Sequence, residues 1–504
     1  MKRQTPTRQT PARATGWTLA ALLALPVAAL PAAAEAPPDG AEADTPEQAP
    51  EGEPEGTPDE ALAPAEVAER DPEQDLLEVY RIALEADRGL SAAQSRRRAA
   101  DEEIAQARSR FLPQIGASAG YEDETRSFDE SGRSDEEMQG WDATLSLTQP
   151  LFRRGDLVEL ERARTAVDAA DIELSLAEQD LVLRVVEAYF DVLLAQDEQA
   201  LVEAELAAVE SQLRRAERAL EVGTGTQTDV DEARAAYDRV RAEQVAVDNQ
   251  YDVARESLRR ILGEYPGELA GLVDDFEPEP VEPAETEHWV DLAQRHNLEV
   301  QLAQQDDQLA RQAVRGQRAE RWPEVELEGR YTHSDREQDQ SFPDGMGGFE
   351  TTTSDTTVDT YSIRLQASVP LFTGGAITSG IRAAEAERTA AADELADQRR
   401  ASALDARSAF LGLRSELERV RALEQALVSA RSNEASVRRG RDVGTHTTTD
   451  VLDAQSQRFE TKRDLAQARY EYLVNFVQLH AAAGLAVDEG LIREVNGQLR
   501  GASR

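Results

Sequence analysis

The side chains best placed to do chemistry in this chain are carboxylates that follow two glycine turns. In EVGTGTQTDVDEA (221–233) the turn is followed by Asp229 and Glu232, and in DVGTHTTTDVLDA (442–454) by Asp450 and Asp453. A spacing of three puts each pair on one helix face, one turn apart. The chemistry open to such pairs is electrostatic. Thr226 with Asp229, and Thr447 with Asp450, also match the Ser/Thr-x-x-Asp/Glu signature of a helix start, where an acid stabilises exposed amides. Capping alone could account for Asp229 and Asp450, beside a functional role; it does not account for Asp453. Gly223 and Gly444 read as helix stops.

Covalent and metal chemistry find little support. The five histidines (His288, His296, His333, His446, His480) are dispersed, without the close spacings that bind zinc, and the chain has no cysteine. The many carboxylates give no isolated acid/base pair, and no glycine-rich phosphate loop follows a strand. The expectation is a protein that is not an enzyme and carries no cofactor and no metal. A net charge of −43 argues against a nucleic-acid partner, which needs a basic face.

The elements that carry the two turns are repeated. Gly444 lies 221 residues after Gly223, and other landmarks keep nearly that spacing. SRFLPQIGASAGY, ending at Tyr121, answers to AERWPEVELEGRY, ending at Tyr331; LSLTQPLFRRG, ending at Gly155, answers to LQASVPLFTGG, ending at Gly375. Two copies of one long unit point to an elongated, pseudo-symmetric body.

Four segments alternate apolar and polar residues with period two, which predicts strands at about 114–122, 141–149, 324–333 and 360–369. Alternation would also suit a sheet lying on a helical core. The aromatics separate the two possibilities. Phe111 and Trp322 stand before the entering prolines, Phe152 and Phe372 follow the exiting ones, and Tyr121, Trp141, Tyr331 and Tyr361 collect at the opposite strand ends. Two aromatic girdles mark a barrel in an outer membrane. The acidic segments between paired strands, Glu122 to Gly140 and Ser334 to Asp359, read as long outward loops. Four strands cannot close a barrel, for which about eight is the practical minimum, so several chains must share one.

The helices are very long. Neither Gly nor Pro occurs between Asp156 and Val222, a run of about 100 Å if helical throughout. Within it, LVLRVVEAYFDVLLA (181–195) leaves only Arg184, Glu187 and Asp191 polar, so that rod packs among several neighbours. The counterpart, about Gly375 to Gly440, contains Gly380 and Gly412 and is expected to bend more. Shorter helices are predicted at about 75–111 and 288–321, with returning helices at Thr228 to Leu262 and Thr448 to Ala483.

At the amino terminus, Lys2, Arg3, Arg8 and Arg13 precede an apolar stretch from Trp17 to Leu30 and the small residues Ala32 to Ala34. This is the pattern of a cleaved signal over residues 1–34; a membrane anchor is the alternative, but the stretch is short and Pro26 interrupts it. Residues 35–73 form a Pro-, Glu- and Asp-rich leader whose composition predicts disorder. The repeats are placed at 74–287 and 288–498, with a tail at 499–504.

The run VGTHTTTDVLDAQSQRFETKRDLAQARYEYLVNFVQLHAAAGL (443–485) resembles the carboxyl-terminal helix of the TolC-family outer-membrane channel proteins, and the likeness extends back through VGTGTQTDVDEARAAYD, EAYFDVLLA, LSLTQPLF and LLEVYRIALEADRGLSAAQ. It covers about residues 75–498, and the missing cysteine sets the chain apart from lipid-anchored members.

The resemblance implies a mainly α fold with a transmembrane β part. Two repeats, each a β-hairpin with very long antiparallel helices, would form a trimeric twelve-stranded β-barrel continued by an α-helical tunnel. It implies an exit duct of tripartite efflux or type I secretion in the outer membrane of a Gram-negative bacterium. Its partners would be two further copies, outer-membrane lipid, a periplasmic adaptor (membrane fusion) protein, and an inner-membrane transporter of RND or ABC type.

By the same resemblance Asp450 and Asp453 form carboxylate rings at the periplasmic constriction, where three crowded copies would favour cations and resist full ionisation. Thr228 and Asp229 belong to the network that closes it. Arg441 stands where the best-known member has an aromatic residue, and His446 where it has an arginine. One hypothesis is that Arg441 or protonated His446 pairs with Asp229, so that opening depends on pH. The turn tips, Gly223, Thr224, Gly225, Gly444 and Thr445, are the expected adaptor contacts. The rival reading is a non-pore periplasmic adaptor or a trimeric coiled-coil surface or structural protein. An adaptor would show one helical hairpin flanked by small β domains.

Overall fold

The structure is a computed structural model in which residues 73–126, 136–273, 276–343 and 349–500 are described. The signal sequence, the leader up to residue 72 and residues 501–504 of the tail lie outside the described residues.

Each predicted entry helix is in fact two. The first is α1 (Leu76–Ala86) and α2 (Arg88–Ser109); the second is α5 (Thr286–His296) and α6 (Leu298–Ala319). Asp87 ends α1 and caps α2, its carboxylate accepting from the Leu90 amide at 2.8 Å. Asn297 does the same between α5 and α6, accepting from Glu299 N at 3.0 Å and Val300 N at 3.2 Å. Short polar side chains that bond nearby amides compete with the helical ladder, so periodicity runs through a position where the backbone turns.

The long rods are α3 (Arg154–Glu221, 68 residues) and α7 (Ala376–Asp442, 67 residues), each about 100 Å at 1.5 Å per residue. Gly380 and Gly412 do not interrupt α7, which is helical throughout. Helices α4 (Gln227–Leu262) and α8 (Thr448–Ala482) return from the two glycine turns, and a short α9 (Glu489–Asn496), absent from the sequence reading, follows.

The main core forms around the apolar stretch of α3. Leu181, Val182, Val185, Val186, Tyr189 and Phe190 are buried against α1, the end of α4, Trp289 of α5, Phe410 and Leu413 of α7, α8 and α9. Phe190 meets Tyr189 edge-on at 5.6 Å and Tyr470 at 5.7 Å. The two ends of the described chain are tied together here. Asn496 Nδ2 donates to Asp75 at 3.0 Å, and the Arg500 amide donates to the Gly271 carbonyl at 2.8 Å. The Asp75 to Asn496 contact spans 421 residues of sequence, which is why no local signal announced α9.

The sheet is a single antiparallel meander in the order β1 (Gln114–Arg126), β2 (Glu136–Phe152), β3 (Glu324–Pro343), β4 (Phe349–Ser368). All four strands are longer than predicted, β4 by extending back to Phe349. The segments read as loops are largely hairpin strand, paired from Tyr121↔Trp141 out to Arg126↔Glu136 and from Tyr331↔Tyr361 out to Pro343↔Phe349. Ladder pairing holds polar residues extended where alternation has faded. Pro150 sits at the irregularity between Pro150 and Phe152 in the β2–β3 register, the kind of position where a strand tolerates a missing amide.

Candidate functional site

Both glycine turns are built alike. Gly223 has φ +76° and Gly444 φ +83°, a conformation that side chains with Cβ resist. At the first, Gly223 N bonds Leu220 O at 3.0 Å and Thr224 N bonds Ala219 O at 2.9 Å; at the second, Gly444 N bonds Arg441 O and Thr445 N bonds Gly440 O, both at 2.9 Å. These are the paired bonds of a Schellman stop. Val222 and Val443, beside the two glycines, are more than 70% exposed.

Each turn is followed by a complete capping box. Asp229 N donates to Thr226 Oγ1 at 3.2 Å while Thr226 N donates to Asp229 Oδ2 at 3.0 Å; Asp450 N donates to Thr447 Oγ1 at 3.1 Å while Thr447 N donates to Asp450 Oδ2 at 2.8 Å. The Thr226 hydroxyl and amide hold the Asp229 carboxyl below its ordinary range, with a smaller contribution from Thr448. The Thr447 amide, then its hydroxyl, then His446 do the same for Asp450. Hydrogen bonds to the charged form therefore keep both carboxylates ionised. Asp453 lies one turn further along α8, exposed.

The expected closing residues find other partners within one chain. Arg441 donates to Gln212 Oε1 of α3 at 3.1 Å and to its neighbour Asp442 at 2.8 Å, and His446 Nδ1 faces Asp450 Oδ2 at 3.2 Å. Neither is bonded to Asp229 in this chain. The bridges between the two turns come instead from threonines: Thr448 adjoins Asp229, and the Thr449 hydroxyl donates to Glu232. Thr228 is exposed.

Behind the turns lies a polar layer that sequence reasoning missed. Gln212 of α3 and Gln455 of α8 are at most 2% exposed, each 11 residues from its glycine. Gln212 Oε1 accepts from Arg441 and Arg215, but Gln212 Nε2 and both amide atoms of Gln455 have no partner among the described residues. Their only sequence signal was a polar residue at a helical core spacing.

The aromatics fall into distinct groups. Tyr121 pairs with Trp141, and Tyr331 stacks on Tyr361 at 4.7 Å. Trp141 is opposite Asp335, four residues beyond Tyr331, an offset of about 13 Å along the strand, so the four form a diagonal across the sheet rather than a row. At the helical end, Arg154 lies over Trp322 at 4.3 Å; Phe152 pairs with Val325 and is 41% exposed, Phe372 is 88% exposed and Phe111 half-buried.

Among the described residues no helix is long and apolar enough to cross a membrane, and no group of three or more His, Asp or Glu could hold a metal ion. What the described residues do present is greasy strand. Ile115, Tyr121, Tyr361, Ile363 and Leu365 are between 66% and 85% exposed, so the sheet is not laid on a helical core of its own chain.

Comparison with known proteins agrees with this architecture. The family described as Outer membrane efflux protein matches residues 79–264 and 289–485, the two repeats. Outer membrane protein TolC of Vibrio cholerae is 32% identical over 431 residues, covering 86% of this chain and 95% of that protein. Alkaline protease secretion protein AprF of Pseudomonas aeruginosa is 29% identical over 421 residues, covering 81% and 84%. Among solved structures, the Campylobacter jejuni CmeC outer membrane channel superposes with a TM-score of 0.67 at 15% identity, covering 90% of this chain and 99% of that one. Duplicated hairpins of very long helices, an exposed sheet without its own core, and matches over both repeats lead to one conclusion: the chain belongs to the outer membrane efflux protein family.

Proposed function

We propose that three copies of this outer-membrane protein close one twelve-stranded barrel and a helical tunnel, forming the exit duct of an efflux or type I secretion machine. One observation carries the reading. A four-stranded sheet, with β1 paired only to β2 and β4 only to β3 among the described residues, exposes its apolar side chains. Edges and greasy face are both satisfied by joining other copies within lipid. The helical part carries matching support: α4 exposes Val245 and Val253, and α7 exposes Leu404, Leu411 and Val428, at 49–68%.

In this duct the glycine turns, with Gly223, Thr224, Gly225, Gly444 and Thr445, meet a periplasmic adaptor, which joins an inner-membrane transporter of RND or ABC class. Asp450 and Asp453 form the constriction. The assignment comes from the family resemblance; the capping box, which by itself explains Asp450 as a helix start, leaves its carboxylate charged, and three such copies would draw cations to the axis. Thr228, Asp229, Arg441 and His446 hold the closed state through contacts between neighbouring copies.

Planar-bilayer recording tests this. Changing Asp450 and Asp453 together to Asn is expected to weaken cation selectivity and block by multivalent cations, and unaltered selectivity rejects the assignment. The duct itself is rejected if the native protein fractionates as a soluble monomer rather than as heat-modifiable trimers in the outer membrane.

A further inference from the structure

The last turns of α3 and α7 carry six arginines in a chain with 98 acidic residues and 55 basic ones: Arg214, Arg215 and Arg218 on α3, Arg438, Arg439 and Arg441 on α7. All but Arg441, which is half-buried, are exposed. The Arg441 to Gln212 bond joins the two helix ends behind the turns, and Arg438, Arg441 and Arg218 lie close enough to Arg215 to repel it.

Part of this clustering has a local cause. Cations near a helix C-terminus are favoured by its dipole, an effect confined to the last turn. That covers Arg218, Arg439 and Arg441, but not Arg214, Arg215 and Arg438, which lie further back.

Nearby acids neutralise only part of the flank. Arg214 pairs with Glu210 at 2.6 Å and Arg441 with Asp442 at 2.8 Å. Glu217 turns away to Arg234 of α4, and Glu434 is divided between Arg438 and Arg458. Arg215 bonds only the Gln212 amide oxygen, Arg218 the Arg214 carbonyl, and Arg439 the Ala435 carbonyl and Ser436 hydroxyl. None of these three has an ion pair among the described residues. Partial burial, then repulsion from Arg441, Arg438 and Arg218, lowers the pKa of Arg215, opposed in part by Asp442.

We propose that this arginine flank docks an acidic face of a partner protein. The reading rests on the duct assignment, in which this end of the molecule meets an adaptor, and it adds the partner's chemistry: carboxylates set against the side of the helix pair, behind its tip. Such a contact steers encounter at long range and weakens with salt.

The probe is a short fluorescent poly-L-glutamate titrated onto the purified full-length oligomer in detergent. Native protein is expected to bind it with an affinity that falls as salt rises, and R215Q/R218Q/R439Q to lose at least tenfold. R96Q/R98Q/R108Q on α2 removes the same charge elsewhere and is expected to bind as native. R215K/R218K/R439K is expected to retain binding, which guards against mere misfolding of the Gln variant. Equal binding by the flank variant and native protein overturns the proposal, as does an equal loss in the α2 variant. Loss of heat-modifiable oligomers in the Lys variant also overturns it, by assigning the flank to contacts between copies. Planar-bilayer conductance of the native protein stands apart: its absence would refute the duct, whereas intact conductance with no glutamate binding refutes only the arginine flank.

Discussion

Replacing Gln455 by Met should make the protein more stable. Gln455 is 1% exposed on α8, about 10 Å along the helix from its first residue, Thr448, and neither its Oε1 nor its Nε2 has a partner among the described residues. Burying a polar group without a hydrogen bond costs about 1–3 kcal/mol. Methionine has nearly the same length and shape, so the exchange removes that cost without opening a cavity or crowding the core. The expected gain is about 1–3 kcal/mol per chain. For domains of 150–250 residues 1 kcal/mol shifts the midpoint by about 2–4 °C, and by less in a larger chain, so a rise of about 2–4 °C is expected. The assay is the temperature at which the oligomer converts to monomer, at a fixed heating rate because unfolding of such assemblies is commonly irreversible. A midpoint equal to or below the native one would refute the reasoning and show that the amide is hydrogen-bonded after all.

Removing either helix cap, by Thr226→Ala or Thr447→Ala, should cost about 1 kcal/mol locally and raise proteolytic cleavage at that turn while leaving the other unchanged. Acid should spare the turns until late. Because Asp229 and Asp450 titrate below their ordinary value of 3.8 when folded, their contribution is present above that value and is lost as pH falls through the lowered one. Hydrogen-exchange protection around Thr226 and Thr447, corrected for intrinsic rates, should therefore be flat from pH 8 to 5 and drop only below about pH 4; a drop near pH 6 would contradict this. Phe190→Ala should cost about 3–5 kcal/mol, since the ring is 1% exposed among Tyr189, Tyr470 and the main core, and should appear as loss of assembled protein in the outer-membrane fraction.

Local chemistry made much of this protein legible. The 221-residue repeat, the glycine stops, the Thr-x-x-Asp starts and the absence of Gly and Pro from 156 to 222 gave the two hairpins of long helices, because stops, caps and helical propensity act within a few residues. Period-two alternation located all four strands for the same reason. Tertiary structure alone decided the rest. It carried the hairpins through polar sequence by ladder pairing and tied Asp75 to Asn496, 421 residues apart. It also sent Arg441 to Gln212, brought Thr448 beside Asp229 and turned Thr449 to Glu232. Those partners are chosen by which helix faces meet, and spacing along one strand of sequence carries no record of the distance between two.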